Sequence, residues 1–246
     1  MDTKLLEARV NDLFSLCEKH CQMKFSPFLD GGEAAFLKEE FYIPYGYNTM
    51  FFGGYDGAER EILGVFPQWQ EASQDDFPLT VIRFDVPSFR KITHRDYLGT
   101  VMSLGIDRNK TGDILVDENG AYVILNSDIA EYVQRNVNKI ANVGVKTSIV
   151  TDFLPSKPKT KEKMCVCASL RLDAVVSAAF NISRGVTEKI IAGGGVKVNH
   201  REVTDRSKAT VIGDLISVKN YGRFILKDTG NNTRKGRLHI TVGKFL

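Results

Sequence analysis

The sequence has no long apolar segment. No stretch approaches the ~20 apolar residues that a helix needs to cross a bilayer. The first residues, MDTKLLEARVNDLF, include acidic side chains and lack the apolar centre of a signal peptide. Cysteine is scarce: the four in 246 residues are predicted to be free thiols in a reducing compartment. These absences predict a cytoplasmic protein without a membrane partner.

Motifs for cofactors and metals are missing as well. The glycines of FFGGYDGAER, from residue 51, are not followed by the Lys-Ser/Thr pair of a phosphate-binding loop. Cys17, His20 and Cys21 could share one face of a helix, but a fourth metal ligand is lacking. We predict no catalytic residue, no metal site and no cofactor.

Charge is distributed unevenly along the chain. Residues 1–78 hold 6 Lys+Arg and 14 Asp+Glu, residues 79–156 hold 9 of each, and residues 157–246 hold 18 Lys+Arg and 7 Asp+Glu. The overall net charge of +3 therefore hides an acidic beginning and a strongly basic end. This division favours a C-terminal part that meets phosphates. The acidic part is a candidate site for a protein partner.

The middle of the chain alternates strand and helix patterns. The predicted strands are 79–85, 112–117, 121–126 and 143–150, and the predicted helices are 93–105 and 127–140. This β-α-β-β-α-β order predicts a ferredoxin-like (RRM-like) domain. The aromatic RNP strand of RRM domains is absent, with only Tyr122 as a weak substitute. RNA binding by this domain is therefore left open.

We predict a multi-domain α+β protein. Its parts are an acidic N-terminal α+β domain at 1–78, the ferredoxin-like domain at 79–154, a basic linker at 155–168, and an RNA-binding domain with a C-terminal β-hairpin at 169–246. In the linker, lysines alternate with other residues over PSKPKTKEK, which suits either a solvated linker or an extended strap along phosphates.

The last domain carries the motif that decides the function. Ser169 is the predicted N-cap of a helix through Phe180, and Ser183 the predicted N-cap of a second helix. Arg184 then stands at a helix start, where a cation is unfavourable unless an anion arrives. Short strands with basic turns follow, which suits binding of an RNA backbone.

The order R-L-D, S-R, G-x-V-x-V-N and G-D-x-I-x-V resembles the RNA-binding domain named after small-subunit ribosomal protein S-four. It is carried here by Arg171-Leu172-Asp173, Ser183-Arg184, residues 195–199 and residues 213–218. Two departures from that family are Gly185, where serine is commoner, and His200 in place of the usual glycine. The resemblance implies an alpha-L fold. The predicted RNA-binding residues are Arg171, Ser183, Arg184, Lys189, Lys197, Asn199, Arg201, Arg206 and Lys208. Arg171 has a structural alternative, an ion pair with Asp173 or Asp214.

The segments FFGGYDGAERE and THRDYLGTVMSLGIDRNKTGDI extend the resemblance to the YlmH family of bacterial S-four-domain proteins. It implies a non-enzymatic protein that binds rRNA on the large ribosomal subunit near peptidyl-tRNA, in translation quality control. The family's gene location implies a link to cell division, and tRNA is a further candidate partner. The alternatives are an RNA-modifying enzyme or a protein-interaction adaptor that uses this domain for docking.

Overall fold

The computed structural model describes residues 2–87, 92–151, 153, 160–232 and 236–245. The chain forms two compact units, residues 1–155 and 156–246. The first two predicted domains therefore fall within one unit, and their exact boundary at residue 78 stays a prediction. Among the described residues, no helix is both long and apolar enough to span a membrane.

The first unit begins with two helices and a small three-stranded sheet. Its elements up to residue 67 are α1 (Thr3–His20), β1 (Lys24–Phe25), α2 (Gly31–Glu39), β2 (Tyr47–Phe52) and β3 (Ile62–Pro67). The three strands form an antiparallel sheet in the order β1-β3-β2. Helix α1 buries the stripe Leu6, Val10, Phe14 and Cys17. This spacing of three and four residues keeps one face of the helix against the sheet.

The rest of the first unit contains the predicted alternation of strands and helices, with an unpredicted short two-stranded sheet before the last strand. Its elements are β4 (Leu79–Asp85), α3 (His94–Ser103), β5 (Thr111–Val116), β6 (Gly120–Asn126), α4 (Ser127–Asn136), β7 (Lys139–Ile140), β8 (Val143–Gly144) and β9 (Lys146–Val150). A four-stranded sheet has the order β5-β6-β4-β9, and every neighbouring pair is antiparallel. This is the ferredoxin-like arrangement, so the predicted fold class is confirmed.

Both faces of this four-stranded sheet are covered. On one face, Ile82, Phe84 and Val123 pack with the buried residues of α3 and α4. On the other face, Val81 and Ile124 pack with a cluster that Phe28, Ile62, Phe66 and Phe77 contribute from outside the ferredoxin-like elements. The first 78 residues and the ferredoxin-like elements therefore share a hydrophobic core.

Asp113 in β5 ties the same two parts together with hydrogen bonds. Its carboxylate accepts from the Tyr55 hydroxyl at 2.8 Å and from the Glu59 N–H at 2.7 Å. Burial raises the pKa of Asp113, and these bonds act in the opposite direction. The Arg60 guanidinium donates to the carbonyl oxygens of Thr111 and Phe28. Residues 55–60 are thereby fixed against β5 by polar contacts as well as by packing.

The second unit is a six-stranded sheet with two helices. Its elements are β10 (Thr160–Cys167), α5 (Leu172–Phe180), α6 (Arg184–Ala192), β11 (Val196–Val198), β12 (Arg201–Glu202), β13 (Leu215–Val218), β14 (Gly222–Asn232) and β15 (Leu238–Phe245). The strand order is β10-β15-β14-β13-β11-β12. The core joins Leu172, Val176 and Ile191 of the helices to the inward residues of the sheet. The predicted C-terminal hairpin is the β14–β15 pair.

Residues 160–167 differ from the predicted linker, because they form β10. This strand pairs antiparallel with β15 over its whole length, from Thr160 opposite Phe245 to Cys167 opposite Leu238. Cys165 and Cys167 point into the core and Met164 is exposed, as alternation in a strand requires. Residues 154–159, the first half of the lysine-rich strap, lie outside the described residues.

The helix starts of the second unit show one confirmed and one wrong prediction. Ser183 is the N-cap of α6, with its Oγ accepting from the Val186 N–H at 3.4 Å. The N-cap of α5 is Arg171 rather than Ser169, and the helix begins at Leu172. The positive φ after α6 falls on Gly194 (+68°), whereas Gly193 has φ −84°.

Candidate nucleic-acid interface

The start of α6 places a cation where the helix dipole is positive. Arg184 is the first helical residue, it is exposed, and the first turn contains no acidic residue. The backbone N–H groups of this turn and the guanidinium therefore both favour an anion. The structure brings together here the cap, Ser183, and the cation that the sequence predicted.

Arg184 shares an open cleft with a second arginine. The cleft has a volume of about 320 Å³, and its lining includes Cys167, Ser177, Arg184 and Arg237. Arg237 lies just before β15, so the pairing of β15 with β10 brings it to the helix side of the unit. The predicted site omitted Arg237, although the basic composition of the hairpin was a usable signal. The neighbouring Arg234 and Lys235 lie outside the described residues.

A second group of predicted residues meets at the start of α5. The Leu172 N–H donates to the Lys208 carbonyl at 2.9 Å, and the Asp173 N–H donates to the Arg206 carbonyl at 3.2 Å. These bonds hold the segment 206–208 beside Arg171. The guanidinium of Arg206 also pairs with Glu188 of α6 at 2.9 Å. Arg171, Arg206 and Lys208 are therefore close together at one end of the helical layer.

Arg171 forms an ion pair with Asp173, which the sequence offered as a structural alternative to RNA binding. Its Nε lies 3.1 Å from Asp173 Oδ1, and its Nη2 lies 3.3 Å from Oδ2. Asp173 is buried, and it also accepts from the Ala174 N–H. Hydrogen bonding to Asp173 raises the pKa of Arg171. Because the Arg171 side chain remains 46% exposed, this pair holds the guanidinium in place at the surface.

The side-chain amide of Asn199 makes two hydrogen bonds within the second unit, one through its nitrogen and one through its oxygen. Its Nδ2 donates to Asp214 Oδ1 at 2.8 Å, and its Oδ1 accepts from the Leu215 N–H at 2.9 Å. Asp214 is 6% exposed and also accepts from the Val211 N–H at 2.9 Å. We call these contacts the Asn199–Asp214 lock. The lock engages both ends of the Asn199 amide, which favours a structural role over the predicted role in RNA binding.

The turn that contains Asn199 is a two-residue hairpin between β11 and β12. Asn199 has φ +49° and His200 has φ +67°. Two consecutive positive φ values are typical of a type I′ turn, which suits asparagine followed by glycine. The departure of this sequence from the S-four pattern, His200, therefore occupies a position where a side chain is strained.

The remaining predicted residues are spread over both layers. Lys189 is exposed in the last turn of α6. Arg201 lies opposite Val198 on the edge strand β12. Lys197 is exposed between the buried Val196 and Val198, so it lies on the face of the sheet away from the helices. The predicted set is thus divided between a helix side and a sheet side.

Comparison with known proteins agrees with this architecture. The family model described as "Putative RNA-binding domain in YlmH" matches residues 72–151, and the S4 domain model matches residues 170–216. The chain therefore resembles YlmH proteins and carries an S4 domain. The S4 match includes all nine predicted RNA-binding residues, whereas β10, β14 and β15 lie beyond it.

One curated relative matches most of this chain, and a second matches 42% of it. It is 29% identical over 230 residues to "Ribosome-associated protein quality control protein P2" of Bacillus subtilis (strain 168), which covers 92% of this chain and 89% of that protein. It is 28% identical over 106 residues to "Tyrosine--tRNA ligase" of Opitutus terrae, of which it spans 23%. A solved structure, "Cell division protein ylmH from Streptococcus pneumoniae", has a TM-score of 0.51 at 22% identity. The match covers 61% of this chain and 92% of the solved chain, and it supports the fold described above.

Proposed function

We propose that this YlmH-like protein binds structured rRNA on the large ribosomal subunit, near peptidyl-tRNA, as a non-enzymatic factor in translation quality control. This role places the protein in the cytoplasm, with tRNA as a second RNA contact. A link to cell division is a further part of the proposal, and the name of the Streptococcus pneumoniae protein supports it. No step of this role needs a catalytic residue, metal or cofactor.

The observation that carries the proposal is that Arg184 and Arg237 line the same cleft at the N-terminus of α6. Two guanidinium groups beside exposed helix N–H groups match a phosphate better than a neutral ligand. Such contacts recognise the backbone and shape of folded RNA rather than its base edges. The name of the Bacillus subtilis relative supports the ribosome as the source of that RNA.

Co-sedimentation with separated ribosomal subunits tests the proposal. We expect the wild-type protein to sediment with the large subunit and Arg184→Ala to bind more weakly by about 1–3 kcal/mol, the range for a charge-assisted hydrogen bond. Arg9→Ala is the matched control, because Arg9 is equally cationic, is exposed on α1 and lies outside both matched regions. Sedimentation with neither subunit, or equal binding by both variants, would contradict the proposal.

Salt dependence gives an independent measure of the same contacts. With ~5 phosphates neutralised, the logarithm of the affinity should fall with the logarithm of salt concentration with a slope near −4. Arg184→Ala should make that slope shallower by about 1 if Arg184 contacts a phosphate. An unchanged slope would show that Arg184 does not contact a phosphate.

A second candidate function is docking of a protein partner on the N-terminal part. Tyr45 is 89% exposed and Trp69 is 74% exposed. Tyr47 pairs with Pro67 at one end of the β2–β3 hairpin, so Tyr45 and Trp69 lie at that same end. Exposed aromatic side chains in a segment with 14 Asp+Glu against 6 Lys+Arg favour a basic protein surface.

Trp69 makes this second candidate easy to test, since it is the only tryptophan of the chain. Its emission should be that of a solvated indole and should shift to shorter wavelength when a basic partner covers it. Titration of the full-length protein with ribosomal proteins of the large subunit, one at a time, is the measurement. Unchanged emission with every bound partner, together with normal binding by Trp69→Ser, would exclude this face.

A further inference from the structure

The sheet face of the second unit carries one row of side chains that points away from its core. Lys197 pairs with Ser217 across β11–β13, and Ser217 pairs with Arg223 across β13–β14. Phe224 is opposite Lys244, so the next positions, Arg223 and Phe245, are neighbours on β14 and β15. The residues that alternate with this row, such as Val196, Val218 and Phe224, are buried. The row therefore faces outward.

An open cleft lies over this row. Its volume is about 680 Å³, and its floor includes Lys197, Ser217, Arg223 and Phe245. Volumes of this order are typical of small-ligand sites. The turns that complete its rim include glycines at 194, 195 and 222, so backbone atoms are accessible there. This cleft lies on the opposite face of the sheet from the cleft that contains Arg184.

The charge in the cleft is positive. Its lining contributes Lys197, Lys219 and Arg223, and no carboxylate is among the described lining residues. Glu202 is nearby, opposite Lys197 on β12, and it offsets one of the three cations. Lys219 is exposed at the end of β13, and its N–H donates to the Gly195 carbonyl at 2.8 Å. That bond fixes the Lys219 backbone on the rim. The positive charge that remains in the cleft favours an anionic ligand.

The cleft also contains a flat stacking surface. The Arg223 guanidinium lies over the Phe245 ring, with its Cζ 4.4 Å from the ring centroid. Guanidinium planes and aromatic rings are the groups on which proteins stack unpaired bases of RNA. A base that stacks on this pair would leave its phosphates within the reach of the flexible lysine side chains at the rim. The combination of a planar pair with mobile cations is typical of a nucleotide site.

We propose that this cleft binds one unpaired RNA nucleotide, with its base stacked on the Arg223–Phe245 pair and its phosphates at Lys197 and Lys219. The inference rests on the proposed function, since it assumes that the second unit binds RNA. It adds a ligand class: an extruded or single-stranded nucleotide beside the structured helix that the Arg184 side recognises. A paired base cannot use the cleft, because both of its faces are already stacked within the duplex.

Two RNA hairpins test the inference, identical except for one extruded nucleotide in the stem of the second. We expect the wild-type protein, by fluorescence anisotropy, to bind the second hairpin about tenfold more tightly, as one stacked base predicts. Phe245→Leu removes the ring, and Arg223→Lys removes the plane while keeping the charge. Both variants should lose this difference and bind the fully paired hairpin normally. Lys227→Gln is the control, because Lys227 lies on the same strand and is paired with Glu162 at 2.9 Å.

The outcomes separate the two proposals. Equal binding of both hairpins by the wild-type protein, with weaker binding by Arg184→Ala, would overturn the cleft inference and leave the proposed function standing. No binding of either hairpin would overturn both. Free AMP tests the other source of the same chemistry. If the binding free energy of AMP alone equals the gain that the extruded nucleotide gives to hairpin binding, the ligand is a free nucleotide and the RNA assignment is wrong.

Discussion

The Asn199–Asp214 lock yields a prediction that separates stability from RNA binding. Asn199→Ala removes one hydrogen bond to the Asp214 carboxylate and one from the Leu215 N–H. A bond to a charged group contributes about 1.5–3 kcal/mol and a neutral bond about 0.5–1.5 kcal/mol. Because Asp214 is only 6% exposed, water cannot fully replace the lost donor. We expect the free energy of unfolding of the second unit to fall by about 2–4 kcal/mol.

A matched control exists in the same unit. Asn220 also has positive φ, at +68°, and is exposed in the β13–β14 turn. Asn220→Ala therefore carries the same backbone penalty as Asn199→Ala without breaking the lock. The difference between the two variants isolates the hydrogen bonds from the left-handed conformation.

Hydrogen exchange followed by mass spectrometry in increasing urea is the assay, because Trp69 reports only on the first unit. Peptides that contain the Val211 and Leu215 amides should lose protection at lower urea in Asn199→Ala than in Asn220→Ala. RNA affinity, measured where both variants are folded, should stay within about twofold of wild type. If Asn199→Ala is as stable as Asn220→Ala but loses RNA affinity tenfold, Asn199 is an RNA contact and the lock is not its main role.

Three further changes should have measurable effects. His200→Gly should stabilise the second unit by about 0.5–1 kcal/mol in the same urea assay, since glycine adopts the φ of +67° without strain; lower stability would contradict the type I′ assignment. Hydrogen bonds from Arg83 lower the pKa of Asp117, so this pair stabilises the fold above the unfolded pKa of about 3.9 and loses that contribution as pH falls through the lower folded value. Thermal melts from neutral to acidic pH should therefore show a smaller acid-induced loss for Asp117→Asn, and identical profiles would exclude the pair. Gly120→Ala should destabilise the first unit by several kcal/mol, because a Cβ there would lie 1.8 Å from the Phe84 carbonyl oxygen; hydrogen exchange of first-unit peptides in increasing urea measures this, and a neutral effect would refute this contact.

The ferredoxin-like order was predictable because each of its elements has a local signal. Short apolar runs mark β4 and β6, and helical patterns mark α3 and α4. The strand β10 has no such signal, since its alternating lysines are also typical of a solvated segment. Its strand conformation depends on pairing with β15, more than seventy residues later in the chain. Pairing over that distance is decided by the tertiary structure and not by local sequence.

The candidate site divides in the same way. The position of Ser183 and Arg184 follows from local capping chemistry, and the structure confirms the cap. The N-cap of α5 was misplaced because segment 206–208, rather than a side chain of the helix itself, accepts its first N–H groups. Nor could the sequence alone place Arg237 beside Arg184, because that contact requires the register of β15 against β10.

The covered sheet of the first unit has a practical consequence for anyone who divides this protein. A fragment that begins at residue 79, or at residue 72 where the family match begins, would lose Phe28, Ile62 and Phe66. The apolar side chains of Val81 and Ile124 would then meet water, and exposed surface of this kind promotes aggregation. Failure of such a fragment to bind RNA would therefore report on its solubility and not on the domain. For work on the ferredoxin-like domain, the shortest fragment worth purifying is the whole first unit.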